Sequence, residues 1–168
     1  MEIFTEEETN IVAKLEVYAK ELDKNIDTGE EIDFNEFFSY IKYVKTLNID
    51  ERILSYSDYL YGAALPMYDL HLTEVDFINE PELDVITKAT CWLNVADKSS
   101  AVDFNELNER LGKGISDKLK AYIKDYNQLW AVMMGYKHYW YIKKHRLETG
   151  NKSPYSIHGM LDINKLKL

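Results

Sequence analysis

The sequence predicts an all-α fold: a single-domain bundle of about six helices around one long C-terminal helix. Apolar residues recur at spacings of three and four along most of the chain, as on the buried face of a helix. Signals for helix starts recur at several places. Only 7 glycines and 3 prolines occur in 168 residues, and no Gly-, Ser- or Pro-rich linker divides the chain.

Length and composition fit one ordinary domain. A chain of 168 residues can bury a hydrophobic core without disulfides or metal, yet it is too short for two typical domains. Its hydrophobic fraction of 46 % is typical of a globular protein and argues against a disordered chain. We predict that residues 1–150 form the domain, and that the tail over 151–168 either docks on it or stays mobile.

A helix-start signal is repeated along the chain. Asp33 is placed as an N-cap, and Glu36 follows three positions later, as in a capping box. The same pattern returns over 102–107 and, with a proline in the first turn, over 78–83. Three helices therefore have predicted starts, and Thr5 gives a fourth, weaker one.

The helices follow from these starts and from apolar spacing. Apolar residues alternate by three and four from Leu119 to Trp140, so the last and longest helix is expected to form the centre of the fold. Residues 67–78 are neither helical nor cleanly alternating, which predicts an irregular segment or a short strand. In chain order, the predicted helices cover residues of about 5–23, 34–46, 51–64, 80–95, 104–111 and 116–149.

Charge is unevenly distributed along the chain, whose formal net charge is −9. Residues 1–109 contain 25 Asp and Glu against 8 Lys and Arg, whereas residues 110–168 contain 4 against 12. Two arrangements are compatible with this asymmetry. Either the basic segment lies against the acidic one inside the fold, or the molecule has two surfaces of opposite charge.

Cysteine content and hydropathy predict a cytoplasmic protein without a membrane segment. The single cysteine, Cys91, excludes a disulfide within the chain and, among apolar neighbours on a predicted helix, is expected in the core. The N-terminus lacks the basic and apolar regions of a signal peptide. No window approaches the run of about 18 uncharged apolar residues that a membrane helix requires.

The segment 25–36 has the length of an EF-hand loop but departs from its pattern. Asn25 stands where the first ligand is usually Asp, and Glu30 stands where glycine makes the sharp turn. Helix capping accounts for the acidic residues at the end of the segment without calcium. His138 and His145 are about 10 Å apart along a helix, too far to share one ion. We therefore expect no metal and no cofactor, and no catalytic motif is present.

The remaining candidates for function are surfaces that bind a partner. Tyrosines offer large contact area with a polar tip and are enriched at interfaces. Carboxylate clusters imitate phosphates, and lysines interleaved with tyrosines can hold a phosphate backbone. The candidate partner-binding residues are Glu6, Glu7, Glu30, Glu31, Asp58, Tyr56, Tyr59, Tyr61, Tyr68, Lys143, Lys144 and Arg146.

The favoured function is that of a non-catalytic inhibitor. An acidic helical scaffold is steered toward a basic nucleic-acid cleft on another protein, such as a nuclease. In composition alone the chain resembles small acidic inhibitors of nucleases, among them phage anti-defence and toxin-immunity proteins. The first alternative is a nucleic-acid-binding or assembly subunit that uses the basic segment 110–168. The second is a metal-assisted hydrolase that uses the carboxylate clusters.

Overall fold

The computed structural model describes residues 4–68, 87–88, 91–93, 101–111, 117–150 and 155–160. Within these residues the chain is helical and forms no strand, and an isolated antiparallel bridge joins Ala101 to Asp125. The predicted all-α class and the long C-terminal helix are confirmed. The helices are α1 (Glu6–Thr28), α2 (Phe34–Lys45), α3 (Glu51–Ala64), α4 (Phe104–Leu111), α5 (Asp117–Tyr122), α6 (Tyr126–Thr149) and α7 (Ile157–Met160).

The predicted caps begin the helices as expected where the structure describes them. Thr5 and Glu8 form a reciprocal capping box, with each side chain accepting from the other residue's backbone N–H. The Asp33 carboxylate accepts from the Glu36 N–H at 3.0 Å. Asp103 does the same for α4, accepting from the N–H of Glu106 at 3.2 Å. The cap predicted within 78–83 lies outside the described residues.

The predicted sixth helix is in fact two helices. α5 ends at Tyr122, and α6 begins after Asp125, whose carboxylate accepts from the Gln128 N–H at 2.8 Å. The Gln128 side chain in turn accepts from the Lys124 N–H at 2.9 Å. These bonds satisfy backbone groups at a helix start, so the chain turns here although its apolar spacing continues.

The core is built around the crossing of α3 and α6. Both helices have glycine at the point of contact, at Gly62 and Gly135, and each glycine faces the backbone of the other helix. Large buried side chains on the two sides of this crossing include Phe37, Leu60, Leu129, Met133 and Tyr136, all fully buried. The crossing joins the layer of α1 and α2 to the second half of the chain.

The C-terminal segment that the structure describes lies on α1. The Asp23 carboxylate accepts from the backbone N–H groups of Ile157 at 2.6 Å and His158 at 3.1 Å, and so caps the start of α7. Ile157 itself is fully buried. Residues 155–160 are therefore docked, whereas the rest of 151–168 lies outside the described residues.

The middle of the chain is described only in part. Residues 87–88 and 91–93 are helical, but most of the predicted helix 80–95 and residues 69–78 of the irregular segment lie outside the described residues. Cys91 is exposed, which corrects its expected place in the core. None of the described helices is long and apolar enough to cross a membrane.

Candidate protein-interaction site

An acidic groove runs along one side of α1. Its floor is a stripe of α1 residues spaced by three and four, and its opposite wall is the short connection to α2. The groove has a volume of about 280 Å³. It is lined by Lys14, Val17, Tyr18, Glu21, Lys24, Glu30, Glu31, Ile32, Asp33 and Glu36.

Local backbone chemistry places the wall opposite the floor. Gly29 ends α1 in the left-handed conformation, at a φ of 72°, so the chain reverses toward α2. The Asn25 side chain then holds the turn by donating to the Glu30 carbonyl at 2.9 Å. At the far end, the Tyr18 hydroxyl donates to the Glu36 carboxylate at 3.1 Å and ties α1 to α2. Burial raises the pKa of Tyr18, which keeps it a proton donor.

Carboxylates outnumber ammonium groups in the acidic groove. Glu21, Glu30 and Glu31 form no ion pair with any residue that the structure describes, and Glu30 and Glu31 are exposed. Lys14 lies over the Tyr40 ring, 4.3 Å from its centroid. An apolar contact is available beside these charges, because the Val17 side chain is 54 % exposed on the same stripe.

The predicted acidic residues do not form one patch. Glu30 and Glu31 line the acidic groove. Glu6 and Glu7 are exposed in the first turn of α1, at its opposite end. Because α1 has 23 residues, the two pairs are about 30 Å apart. Negative charge at a helix N-terminus also stabilises the helix dipole, so the first pair has a local structural role.

Tyr56, Tyr59 and Asp58 are not on the surface, which corrects their predicted place in an interface. Their exposed fractions are 2 %, 0 % and 4 %. α3 is covered by α1, α2 and α6, so side chains on several of its faces are buried. Tyr59 forms a 2.8 Å hydrogen bond with His138 Nδ1. Asp58 likewise accepts internal hydrogen bonds, from Lys45 and Tyr122, as expected for buried polar groups.

The other two predicted tyrosines are differently placed. Tyr61 is half-buried, and its ring stacks on Tyr122 with 3.8 Å between centroids. Tyr68 is 44 % exposed and packs against Phe34 and Phe38. Of the four predicted tyrosines, Tyr68 therefore keeps the largest accessible surface.

The predicted basic residues also divide into exposed and buried side chains. Lys143 and Lys144 are exposed on α6. Arg146 is only 7 % exposed, forms an ion pair with Asp27 of α1, and donates to the Tyr155 carbonyl at 3.0 Å. This corrects its predicted role on the surface. The pair also joins the basic segment to the acidic one, so part of the charge asymmetry is neutralised inside the fold.

Arg146→Met is expected to lower the free energy of unfolding by about 1–3 kcal/mol, because the hydrogen bond to the tail and the ion pair are lost together. Lys20→Met, exposed on α1, should change it by less than about 0.5 kcal/mol. Urea unfolding of both variants measures the difference. Equal stability of the two variants would contradict a structural role for Arg146.

The segment 25–36 does not have the geometry of a calcium loop. Asn25 and Asp27 lie within α1, and the Asp27 carboxylate is paired with Arg146 rather than turned toward the loop. No group of three or more His, Cys, Asp or Glu residues in the described part of the chain is arranged to hold a metal ion.

Sequence reasoning missed Val17 and Glu21, which belong to the floor of the acidic groove. The signal was present, because residues 14, 17, 18, 21 and 24 share one helix face beside the buried one. What the sequence alone did not show is that the connection to α2 folds back over this face. Comparison with known protein families, curated proteins and solved structures gives no match to this chain.

Proposed function

We propose that the chain is a non-catalytic protein-binding module that inhibits a nucleic-acid-binding protein, such as a nuclease, by occupying its basic surface. The acidic groove is the contact surface in this proposal. Its carboxylates stand on a helix and a capped turn, so the backbone that carries them is ordered before binding. This is the role of a phage anti-defence or immunity-type inhibitor.

One observation carries the proposal: carboxylates without ion partners among the described residues stand next to an exposed apolar side chain. Glu21, Glu30 and Glu31 can pair with lysines or arginines that otherwise hold phosphates. Val17 can add apolar burial, which charge alone does not supply. The excess of negative charge in the first 109 residues would speed the encounter with a basic partner.

The experiment tests displacement of nucleic acid rather than capture alone. The immobilised chain is incubated with a lysate of cells that encode it, and retained proteins are eluted by rising salt. Each is then titrated with a labelled DNA duplex, with and without the free chain. We expect a retained protein that binds the duplex and releases it when the chain is added.

Matched charge variants locate the contact. Glu30→Gln with Glu31→Gln should weaken binding of that protein about 10-fold or more. Glu6→Gln with Glu7→Gln removes the same charge at the other end of α1, and should weaken it by less than about 3-fold. Equal effects of the two pairs would mean that net charge alone governs binding. A partner that keeps its duplex when saturated with the chain would contradict the inhibitory role.

A second candidate function, binding of single-stranded nucleic acid, is favoured by an aromatic patch near the end of α6. Tyr141 and Tyr155 are 42 % and 39 % exposed, and their ring centroids are 5.5 Å apart. The His145 ring contacts both, at 6.2 Å from Tyr141 and 5.1 Å from Tyr155. The exposed Lys143 and Lys144 are neighbours in sequence. Stacking on such rings beside lysines is a common way to hold an unpaired strand.

This alternative predicts salt-dependent binding of a labelled oligonucleotide. Lys143→Gln with Lys144→Gln should reduce the affinity and the salt slope, whereas the Glu30 and Glu31 variants should leave both unchanged. Affinity that is insensitive to the two lysines would contradict it.

A further inference from the structure

A second groove, larger than the first, lies between α2 and α5 and is cationic. Its volume is about 830 Å³, within the range of about 300–1,000 Å³ that is typical of sites for small molecules. α3 contributes one residue to its wall. The cationic groove is lined by Asn35, Phe38, Ser39, Lys42, Lys45, Tyr61, Ala121 and Tyr122.

One face of α2 forms most of this groove. Residues 35, 38, 39, 42 and 45 recur at the spacing of a single helix face. Asp33 and Glu36 instead line the acidic groove. α2 therefore separates two grooves of opposite charge.

A buried carboxylate fixes the inner wall. Asp58 accepts from Lys45 Nζ at 3.0 Å and from the Tyr122 hydroxyl at 2.7 Å. Tyr122 stacks on Tyr61 with an angle of 12° between their rings, and the Lys45 ammonium lies 4.5 Å from the centroid of Tyr122. These contacts come from α2, α3 and α5, so the wall is held in place before any ligand binds.

Hydrogen-bond donors remain available along α2. Lys45 keeps 23 % of its side chain exposed, and an ammonium group has three donors, so its bond to Asp58 leaves others. Asn35, Ser39 and Lys42 are exposed, and their side chains form no hydrogen bond or ion pair with a described residue. None of the described residues that line the groove is acidic. Among these described residues, an entering anion meets hydrogen-bond donors and no competing carboxylate.

We propose that the cationic groove binds a small aromatic anion. Its phosphate or carboxylate group contacts Lys42 and Lys45, and its ring packs against the wall of Phe38 and Tyr61. Phosphate and carboxylate groups both accept charge-assisted hydrogen bonds from lysine ammonium groups. The aromatic wall provides a surface on which the planar ring of the ligand can pack.

A small ligand is favoured over a nucleic-acid strand by the surrounding charge. Its α2 and α3 walls belong to residues 1–109, which carry 25 acids against 8 bases. A polyanion that extends along these walls past the two lysines would meet this excess of negative charge. A compact anion fits inside the groove and avoids it.

Amide shifts in NMR titrations of the ¹⁵N-labelled chain test the proposal. The probes are adenosine 5′-monophosphate, 4-hydroxybenzoate, adenosine and inorganic phosphate. We expect at least one of the two aromatic anions to shift amides of Ser39, Lys42 and Tyr122 with a dissociation constant below about 1 mM. Adenosine and inorganic phosphate should bind at least about 10-fold more weakly, because adenosine lacks the anionic group and inorganic phosphate lacks the aromatic ring.

Variants make the test specific. Lys42→Gln should weaken binding about 5-fold or more, whereas Lys20→Gln, exposed on α1, should leave it unchanged. Asp58→Asn should tighten binding, because the charge that neutralises Lys45 is removed. The proposal is overturned if neither aromatic anion shifts these amides, if inorganic phosphate binds as tightly as both, or if Lys42→Gln and Lys20→Gln behave alike.

Discussion

Gly135→Ala is expected to lower the free energy of unfolding by about 3–5 kcal/mol or to prevent folding altogether. A Cβ atom at this position would lie 1.9 Å from the Tyr59 carbonyl oxygen on α3. The obstacle is backbone, which cannot move aside as a flexible side chain can. The two helices would have to separate along their whole crossing, and the packed side chains around it would lose contact.

The same crossing can be tested from its other side. A Cβ atom on Gly62 would lie 1.9 Å from the Val132 carbonyl oxygen of α6, so Gly62→Ala should have an effect of similar size. Helix propensity works in the opposite direction, because alanine in a helix is favoured over glycine by about 1 kcal/mol. A large loss of stability would therefore reflect the close approach of α3 and α6.

Gly150→Ala is the matched control, since it makes the same chemical change where no atom lies within 4 Å. Its φ of 65° is strained for alanine, so a loss of about 1 kcal/mol is expected. Urea unfolding followed by tryptophan fluorescence compares the variants. If Gly135→Ala were no less stable than Gly150→Ala, the close packing of α3 on α6 would be wrong.

Helix starts were the part of this fold that the sequence predicted best. Thr5, Asp33 and Asp103 each accept from a backbone N–H two or three residues ahead, so the information is local. Asp125 follows the same rule with Gln128. The apolar spacing nevertheless continues through Asp125 and predicts one unbroken helix there.

The site was predicted less well, because it depends on partners that are distant in sequence. Asp58 looks like a surface residue between tyrosines, yet its partners are Lys45 and Tyr122, 13 and 64 residues away. Arg146 looks like part of a basic patch, but Asp27 on α1 neutralises it. Spacing shows which residues share a helix face, but not which other element covers that face.

The half-buried His138 and the buried Asp58 should give the folded protein opposite responses to acid. Burial lowers the pKa of His138 from 6.5 to about 4, with a smaller contribution from Lys137. The His138 imidazole therefore becomes protonated near pH 6.5 in the unfolded chain but only near pH 4 in the folded chain. Stability contributed by this residue falls as the pH drops through that window, by about 3 kcal/mol in total.

Asp58 acts in the opposite direction. Burial raises its pKa from 3.8 to about 6, although Lys45 and Tyr122 lower it in part. The Asp58 carboxylate therefore becomes protonated near pH 6 in the folded chain but only near pH 3.8 in the unfolded chain. Stability contributed by Asp58 therefore rises as the pH drops through that window, again by about 3 kcal/mol. The two effects offset each other between about pH 4 and 6.

Single variants should separate these opposing slopes. Asp58→Asn removes the contribution that rises in acid and keeps the one from His138 that falls. The stability of this variant relative to the wild type should therefore fall as the pH is lowered from 6.5 to 4.5. His138→Asn keeps an amide beside the Tyr59 hydroxyl and leaves Asp58 uncompensated, so its relative stability should rise over the same range. Urea unfolding at four pH values between 4.5 and 7.5 measures both differences.

Differences from the wild type are the informative quantity, because the many surface carboxylates titrate alike in all three proteins and cancel. The expected result is a pair of difference curves with opposite slopes, each spanning about 1–3 kcal/mol. Parallel curves would contradict the assignment of neutral His138 and protonatable Asp58. A flat curve for one variant alone would place that side chain in contact with water, since a solvated group keeps the same pKa in both states.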